Sequence, residues 1–211
     1  IATDTAHLVK KYNGSLSGEH GDGRVRGEFI PLMIGEKNYQ LLRKLKYTFD
    51  ANNILNPGKI VDTPPMDTSL RYEENQATAS FETVFNFDKD EGILRAAEKC
   101  NGSGDCRKLP GSGGTMCPSY MATRNEKDTT RARANILRDF LSNSSQPNRF
   151  NHKEIYEVMD LCLSCKGCTS ECPSNVDITT LKAEFLHQYY KENGVPLRTK
   201  AIANIGQLSK L

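Results

Sequence analysis

The sequence predicts a mainly α chain of two units, and three observations carry that expectation. Apolar residues recur at helical spacing in both halves. A polar, proline-bearing stretch with almost no apolar periodicity separates those halves at residues 62–80. Four cysteines stand within eleven residues, Cys162 to Cys172, among segments patterned as helices. The expected organisation is a first unit at 1–61, a linker at 62–92 and an all-α second unit at 93–211.

In order, residues 2–12 pattern as a helix, and "YNG" ends it because Asn and Gly tolerate the left-handed conformation. The stretch "GSLSGEHGDG", Gly14 to Gly23, follows as a strand or loop. "EKNYQLLRKLKYTFD" sets Tyr39, Leu42, Leu45 and Phe49 on one helical face, and "NILNPGK" closes the region in a Pro-Gly turn. Beyond the linker, "FETVFNF" alternates Phe81, Val84 and Phe87 imperfectly and reads as a short strand or hairpin arm.

The rest reads as helices. Asp128 caps one running to Ser142, with Ile136, Leu137, Phe140 and Leu141 as its buried stripe and Arg131, Arg133 and Arg138 elsewhere on its surface. A second runs from about Lys153 into Cys162. A third starts near Asp177, carries Ile178, Leu181, Phe185 and Tyr189 on one face, and stops at Gly194 before Pro196. The last residues begin another helix.

Composition excludes some functions. With 28 basic and 26 acidic residues in 211, a net charge of +2 offers no concentrated positive field for nucleic acid. No run of about 18 apolar residues exists, and no signal or transit pattern opens the chain, so the expectation is a cytoplasmic protein with at most peripheral membrane contact. The start at Ile1 inside a helix suggests a piece of a longer protein.

Seven cysteines, with four at spacings that make poor disulfides, suit metal or cluster ligation in a reducing compartment. Cys162, Cys165, Cys168 and Cys172 form CxxCxxCxxxCP with Pro173. Three thiolates at that spacing wrap three corners of a cubane, and the fourth, beyond the longer step, ligates the other cluster in two-cluster proteins. Structural zinc, which needs only two Cys or His pairs, is the alternative.

Upstream, "CNGSGDCRKLPGSGGTMCP" holds Cys100, Cys106 and Cys117, one cysteine short of a full motif. By the same crossover logic Cys117 completes a [4Fe-4S] set with Cys162, Cys165 and Cys168. Cys172 is then left with Cys100 and Cys106. Three thiolates fit a [3Fe-4S] cluster, a [4Fe-4S] cluster with a non-cysteine fourth ligand, or no cluster at all.

The Cx5C pair resembles that of the helical ferredoxin domain in succinate dehydrogenase and fumarate reductase iron-sulfur subunits. "CPSYMATRNEKDTTRARANILRDFL" and "CPSNVDITTLKAEFLHQYY" also resemble the modules of glycolate oxidase iron-sulfur subunits and heterodisulfide-reductase-type proteins, over roughly residues 95–195. Arg131 and Arg133 are expected on a solvated helix face, although their charge could tune a cluster. His152 and His187 read as surface or packing residues.

"GSLSGEHGDGRVRGEFIP" followed by "LLRKLKYTFDANNILNPGKI" resembles the end of the FAD-linked oxidase family that includes D-lactate, glycolate and D-2-hydroxyglutarate dehydrogenases. The resemblance implies that residues 1–61 are the C-terminal piece of an α+β domain, with FAD bound mostly upstream, a D-2-hydroxy acid as substrate, and an acceptor protein or quinone beyond the clusters. Oxidising such an acid needs a base of near-neutral pKa at the hydroxyl, a role that suits His20. If the segment is extended, Glu19 points the other way.

In metal-dependent members of the family the matching Glu ligates a divalent cation such as Zn or Mn with two upstream histidines. By resemblance Glu19 takes that role in a site that is incomplete here. Arg24 and Arg26 suit the substrate carboxylate, and the resemblance places Asn56 and Lys59 toward the flavin. The competing expectation is a non-catalytic, ferredoxin-like electron-transfer module that docks to a separate dehydrogenase.

Overall fold

The computed structural model describes residues 1–72 and 75–209; Glu73 and Glu74 of the expected linker lie outside the described residues. The chain divides into two compact units, Ile1–Gln76 and Ala77–Leu211. It is mainly helical, and the described residues contain no β-strand. None of their helices is long and apolar enough to cross a membrane.

The first unit holds α1 (Ala2–Lys11), α2 (Ile30–Ile34) and α3 (Glu36–Phe49). The glycine-rich stretch between α1 and α2 is a series of turns. Asp50 stops α3. Its buried carboxylate takes the Ile54 and Leu55 amides at 2.9 and 3.0 Å and pairs with Lys46, which also donates to the Leu55 carbonyl at 2.6 Å. The Pro-Gly turn is thereby folded back on the helix that precedes it.

Residues 61–68 run along the same unit. Tyr47 donates to the Asp62 carboxylate at 2.6 Å, the Asp62 amide donates to Tyr39 Oη at 2.9 Å, and Arg43 pairs with Asp62 at 2.9 Å. Gly27 allows close approach, because a Cβ there would stand 2.8 Å from Thr63 Cβ. The α3 helix forms as its period predicts, but no residue on it is buried, and Leu45 and Phe49 are exposed. Periodicity located an apolar face; burial required a neighbour to cover it.

The second unit comprises α4 (Ile93–Glu98), α5 (Pro118–Thr123), α6 (Thr130–Asn143), α7 (Lys153–Asp160), α8 (Gly167–Glu171), α9 (Ile178–Asn193), α10 (Leu197–Ala203) and α11 (Ile205–Leu208). Helix α6 is central, packing on α4, α7 and α9. Ile93, Leu137, Leu141, Ile155, Met159 and Phe185 meet in one core, each contributing about 1.5–3 kcal/mol by leaving water. Ile136 and Phe140 of the expected stripe are partly buried against it.

Three local expectations are corrected. "FETVFNF" is not a strand: the Val84 and Phe85 amides donate to the buried Glu184 carboxylate of α9 at 2.9 and 3.0 Å, so a side chain takes the bonds a partner strand would take. Phe81 meets Phe150 edge-on at 5.3 Å, and Phe87 is in the core. The cap of α6 is Thr129, whose Oγ1 accepts the Ala132 amide at 3.0 Å, and not Asp128, which sits in the preceding turn. Arg133 is not on a solvated face but only 2% exposed.

Candidate metal centre

Cys162, Cys165 and Cys168 lie on the loop joining α7 to α8 and on α8's first turn. Two residues between them, Ser164 and Lys166, hold left-handed backbone at φ 53° and 62°, so the loop winds tightly. Cys117 caps α5 in the same conformation, at φ 58°, with Pro118 opening the helix. All seven cysteines are free thiols.

Cys117, Cys162, Cys165 and Cys168 together line one small pocket, whose other walls include Ser119, Thr130, Arg133, Ile178 and Thr179. Two long helices begin there, and their first-turn amides lack intrahelical acceptors. The Thr130 amide of α6 donates to Cys117 Sγ at 3.0 Å, and the Thr130 hydroxyl is also 3.0 Å away. The Ile178 and Thr179 amides of α9 act likewise on Cys168.

Burial pushes the Cys117 thiol up to about 11, against the Thr130 bonds and the Arg133 charge that favour thiolate. Burial also raises Cys168, opposed by those two α9 amides. Such thiols become thiolates when metal neutralises them. Four sulfurs around one cavity, with donors aimed at two of them, fit an iron-sulfur cluster, whose sulfurs are held by N–H donors as well as by iron. Among the described residues no three His, Cys, Asp or Glu side chains converge on a single ion.

Glu171, in the last turn of α8, ties in the loop that delivers Cys117. It accepts the Thr115 amide at 2.6 Å, the Thr115 hydroxyl at 2.9 Å and the Met116 amide at 3.2 Å, and it pairs with Lys108. Lys108 first, and then the Thr115 donors, hold its carboxyl down at about 2. Gly167 makes the approach sterically possible, since a Cβ there would lie 3.1 Å from the Met116 amide nitrogen. Sequence reasoning missed Glu171 because its partners lie far away along the chain.

Cys100, Cys106 and Cys172 do not line that cavity. Cys106 is buried, while Cys100 and Cys172 are partly buried against the same core. Asn135 Nδ2 stands 3.9 Å from Cys100 Sγ. His152 is a packing residue, bonded to Ser144 at 2.7 Å with its ring centroid 4.3 Å from that of Phe140.

In the first unit Glu19 and His20 occupy a turn rather than an extended segment, so the expected opposite orientation does not hold. Their side chains meet at 3.5 Å, and both are more than 80% exposed. Arg26 reaches Ser17 Oγ at 3.3 Å and the Gly21 carbonyl at 3.4 Å, bracing that turn, while Arg24 reaches Thr68 Oγ1 and its carbonyl at 3.3 Å. Asn56 is exposed with φ 51°, and Lys59 is half-buried in the Pro-Gly turn.

Comparison with known families gives residues 1–60 as FAD linked oxidases, C-terminal domain, and residues 99–177 as 4Fe-4S dicluster domain. Two stretches of the chain are thus similar to two different families. The four cysteines of the cavity fall within the dicluster match, and Glu19 and His20 within the oxidase match.

Across its full length the chain is 30% identical over 246 residues to D-2-hydroxyglutarate dehydrogenase of Escherichia coli (strain K12), covering 24% of that protein. It is 30% identical over 248 residues to D-2-hydroxyglutarate dehydrogenase of Pseudomonas putida, with 97% of this chain and 23% of the relative aligned. Over 54 residues it is 43% identical to D-lactate dehydrogenase of Archaeoglobus fulgidus, covering 26% of this chain and 12% of that one. The chain thus spans about a quarter of the length of its full-length relatives. No solved structure matches it.

Proposed function

We propose that this chain is part of a flavin- and iron-sulfur-dependent dehydrogenase of D-2-hydroxy acids, 2-hydroxyglutarate, lactate and glycolate being the candidate substrates. The observation that carries the reading is the pairing, on one chain, of the four-cysteine cavity with the oxidase sequence around Glu19 and His20. Bound FAD would take the hydride from C2 of the acid, and iron-sulfur clusters would pass the electrons on singly.

In this reading His20 takes the hydroxyl proton, leaving a 2-oxo acid. Glu19 would contribute one ligand to a divalent cation, which would polarise the hydroxyl. Arg24 and Arg26 turn from their present loop partners to the substrate carboxylate, and Asn56 and Lys59 face the flavin within the α+β remainder of the oxidase domain. Cys117, Cys162, Cys165 and Cys168 would hold a [4Fe-4S] cluster, and Cys100, Cys106 and Cys172 would supply the thiolates of a second one. Electrons leave to a protein or quinone acceptor.

The exposure of His20 favours a second reading, a ferredoxin-like module serving a separate dehydrogenase. Flavin-replete full-length protein, given each acid with a dye acceptor, separates the two. Dye reduction with at least one acid is expected; no reduction with any of them, in protein that carries iron and sulfide, would leave the second reading standing.

A further inference from the structure

Arg133 carries a permanent charge into the interior. It lies one turn inside α6 from Thr130, the residue whose amide meets Cys117, and its side chain forms part of the cysteine cavity's wall. Its Nε donates to the Val158 carbonyl of α7 at 3.0 Å, and Nη2 donates to Ser119 Oγ of α5 at 3.0 Å. Three helices therefore fix where the guanidinium sits.

Its ion pair with Asp128 is incomplete. Asp128 Oδ1 stands 3.8 Å from Nη2, beyond hydrogen-bond range, and that oxygen is buried without a hydrogen-bond partner. The other Asp128 oxygen is taken by Thr123 at 2.6 Å. An uncompensated buried cation is costly, and an anion in the adjoining space offsets that cost. Arg131, two residues earlier, is different: a third of its side chain is exposed, and it pairs with Glu126 at 2.7 Å.

A four-iron cluster on four thiolates is a dianion when oxidised and a trianion when reduced. A fixed positive charge at its edge stabilises the reduced form more, and a fixed negative charge does the opposite. We propose that Arg133, opposed in part by Asp128, sets the reduction potential of the cluster held at Cys117, Cys162, Cys165 and Cys168. Arg133 acts as a positioning charge and not as a ligand. The inference rests on the cluster reading above and adds to it a residue outside the cysteine motif.

The test is a redox titration of the cluster-loaded holoenzyme followed by EPR, reading the signal that Cys165→Ser abolishes. Arg133→Met should move the midpoint to a more negative value, Arg133→Lys should move it less, and Asp128→Asn should move it to a more positive value. Loosened packing alone would not drive two neighbours in opposite directions. If Arg133→Met fails to retain iron, Asp128→Asn decides: a positive shift supports the inference, and no shift or a negative one overturns it. Unchanged midpoints in all three variants, with the cluster present, overturn it too. Wild-type holoenzyme without acid-labile sulfide would instead sink the cluster reading itself.

Discussion

The cysteine cavity and the Glu19–His20 turn, the sites proposed for the two units, are built in opposite ways. The cavity draws on α5, α6, α8 and α9, has helix amides aimed at two of its sulfurs, and keeps an arginine inside its wall. Glu19 and His20 have each other at 3.5 Å and are otherwise open to solvent. The difference teaches that a short cysteine motif, once folded, gathers its ligands and donors within one unit. An acid and an imidazole on a glycine-rich turn acquire a catalytic environment only from surfaces brought against them.

The largest effects should come from breaking that division. In the full-length protein Cys168→Ser should remove the iron of its cluster, measured as iron and sulfide content, and with it electron delivery to the acceptor. His20→Gln should lower turnover by about 10²–10⁴-fold, the weight of a general base, while iron content stays at the wild-type level. Iron loss on replacing His20, or full iron retention after Cys168→Ser, would show that the two sites are not divided this way.

A smaller effect sharpens the account of how the cavity is assembled. Glu171→Gln removes the Lys108 ion pair and weakens the grip on the Thr115 and Met116 amides. The loop carrying Cys117 should loosen, and a chelator should strip iron on the order of tenfold faster, as for the loss of a charge-assisted hydrogen bond. An unchanged stripping rate would mean that the loop is held by packing alone.

The smallest effect belongs to the first unit and depends on pH. The Lys46 bond first, and then the Ile54 and Leu55 amides, hold the Asp50 carboxyl below its ordinary value. A carboxylate with a lowered folded pKa contributes stability above its unfolded value, about 3.9, and loses it as pH falls through the lower folded one. Protection of the Ile54 and Leu55 amides from hydrogen exchange should therefore fall as pH drops below about 4. In Asp50→Asn exchange there should already be fast at neutral pH.

Much was legible in the sequence because it depends on neighbours along the chain. The spacing of Tyr39, Leu42, Leu45 and Phe49 marked α3, Thr129 lies one residue from the expected cap of α6, and Gly194 ends α9 as expected. The steps from Cys162 to Cys168 marked out a metal-type loop that needs no distant partner to be recognised. Helical period and cysteine spacing are properties of a few consecutive residues, so they survive without tertiary context.

Only the tertiary structure decided which faces are covered. It buried Arg133 beside the cysteines while leaving Leu45 and Phe49 exposed, a reversal of what polarity alone suggests. It gave the amides of Val84 and Phe85 to Glu184 instead of a partner strand, and it folded Glu19 against His20 in a turn. Glu171 found its role through Lys108, Thr115 and Met116, which no local pattern links to it. Burial and hydrogen-bond pairing depend on which distant segments arrive, and the physical chemistry of one stretch cannot specify that by itself.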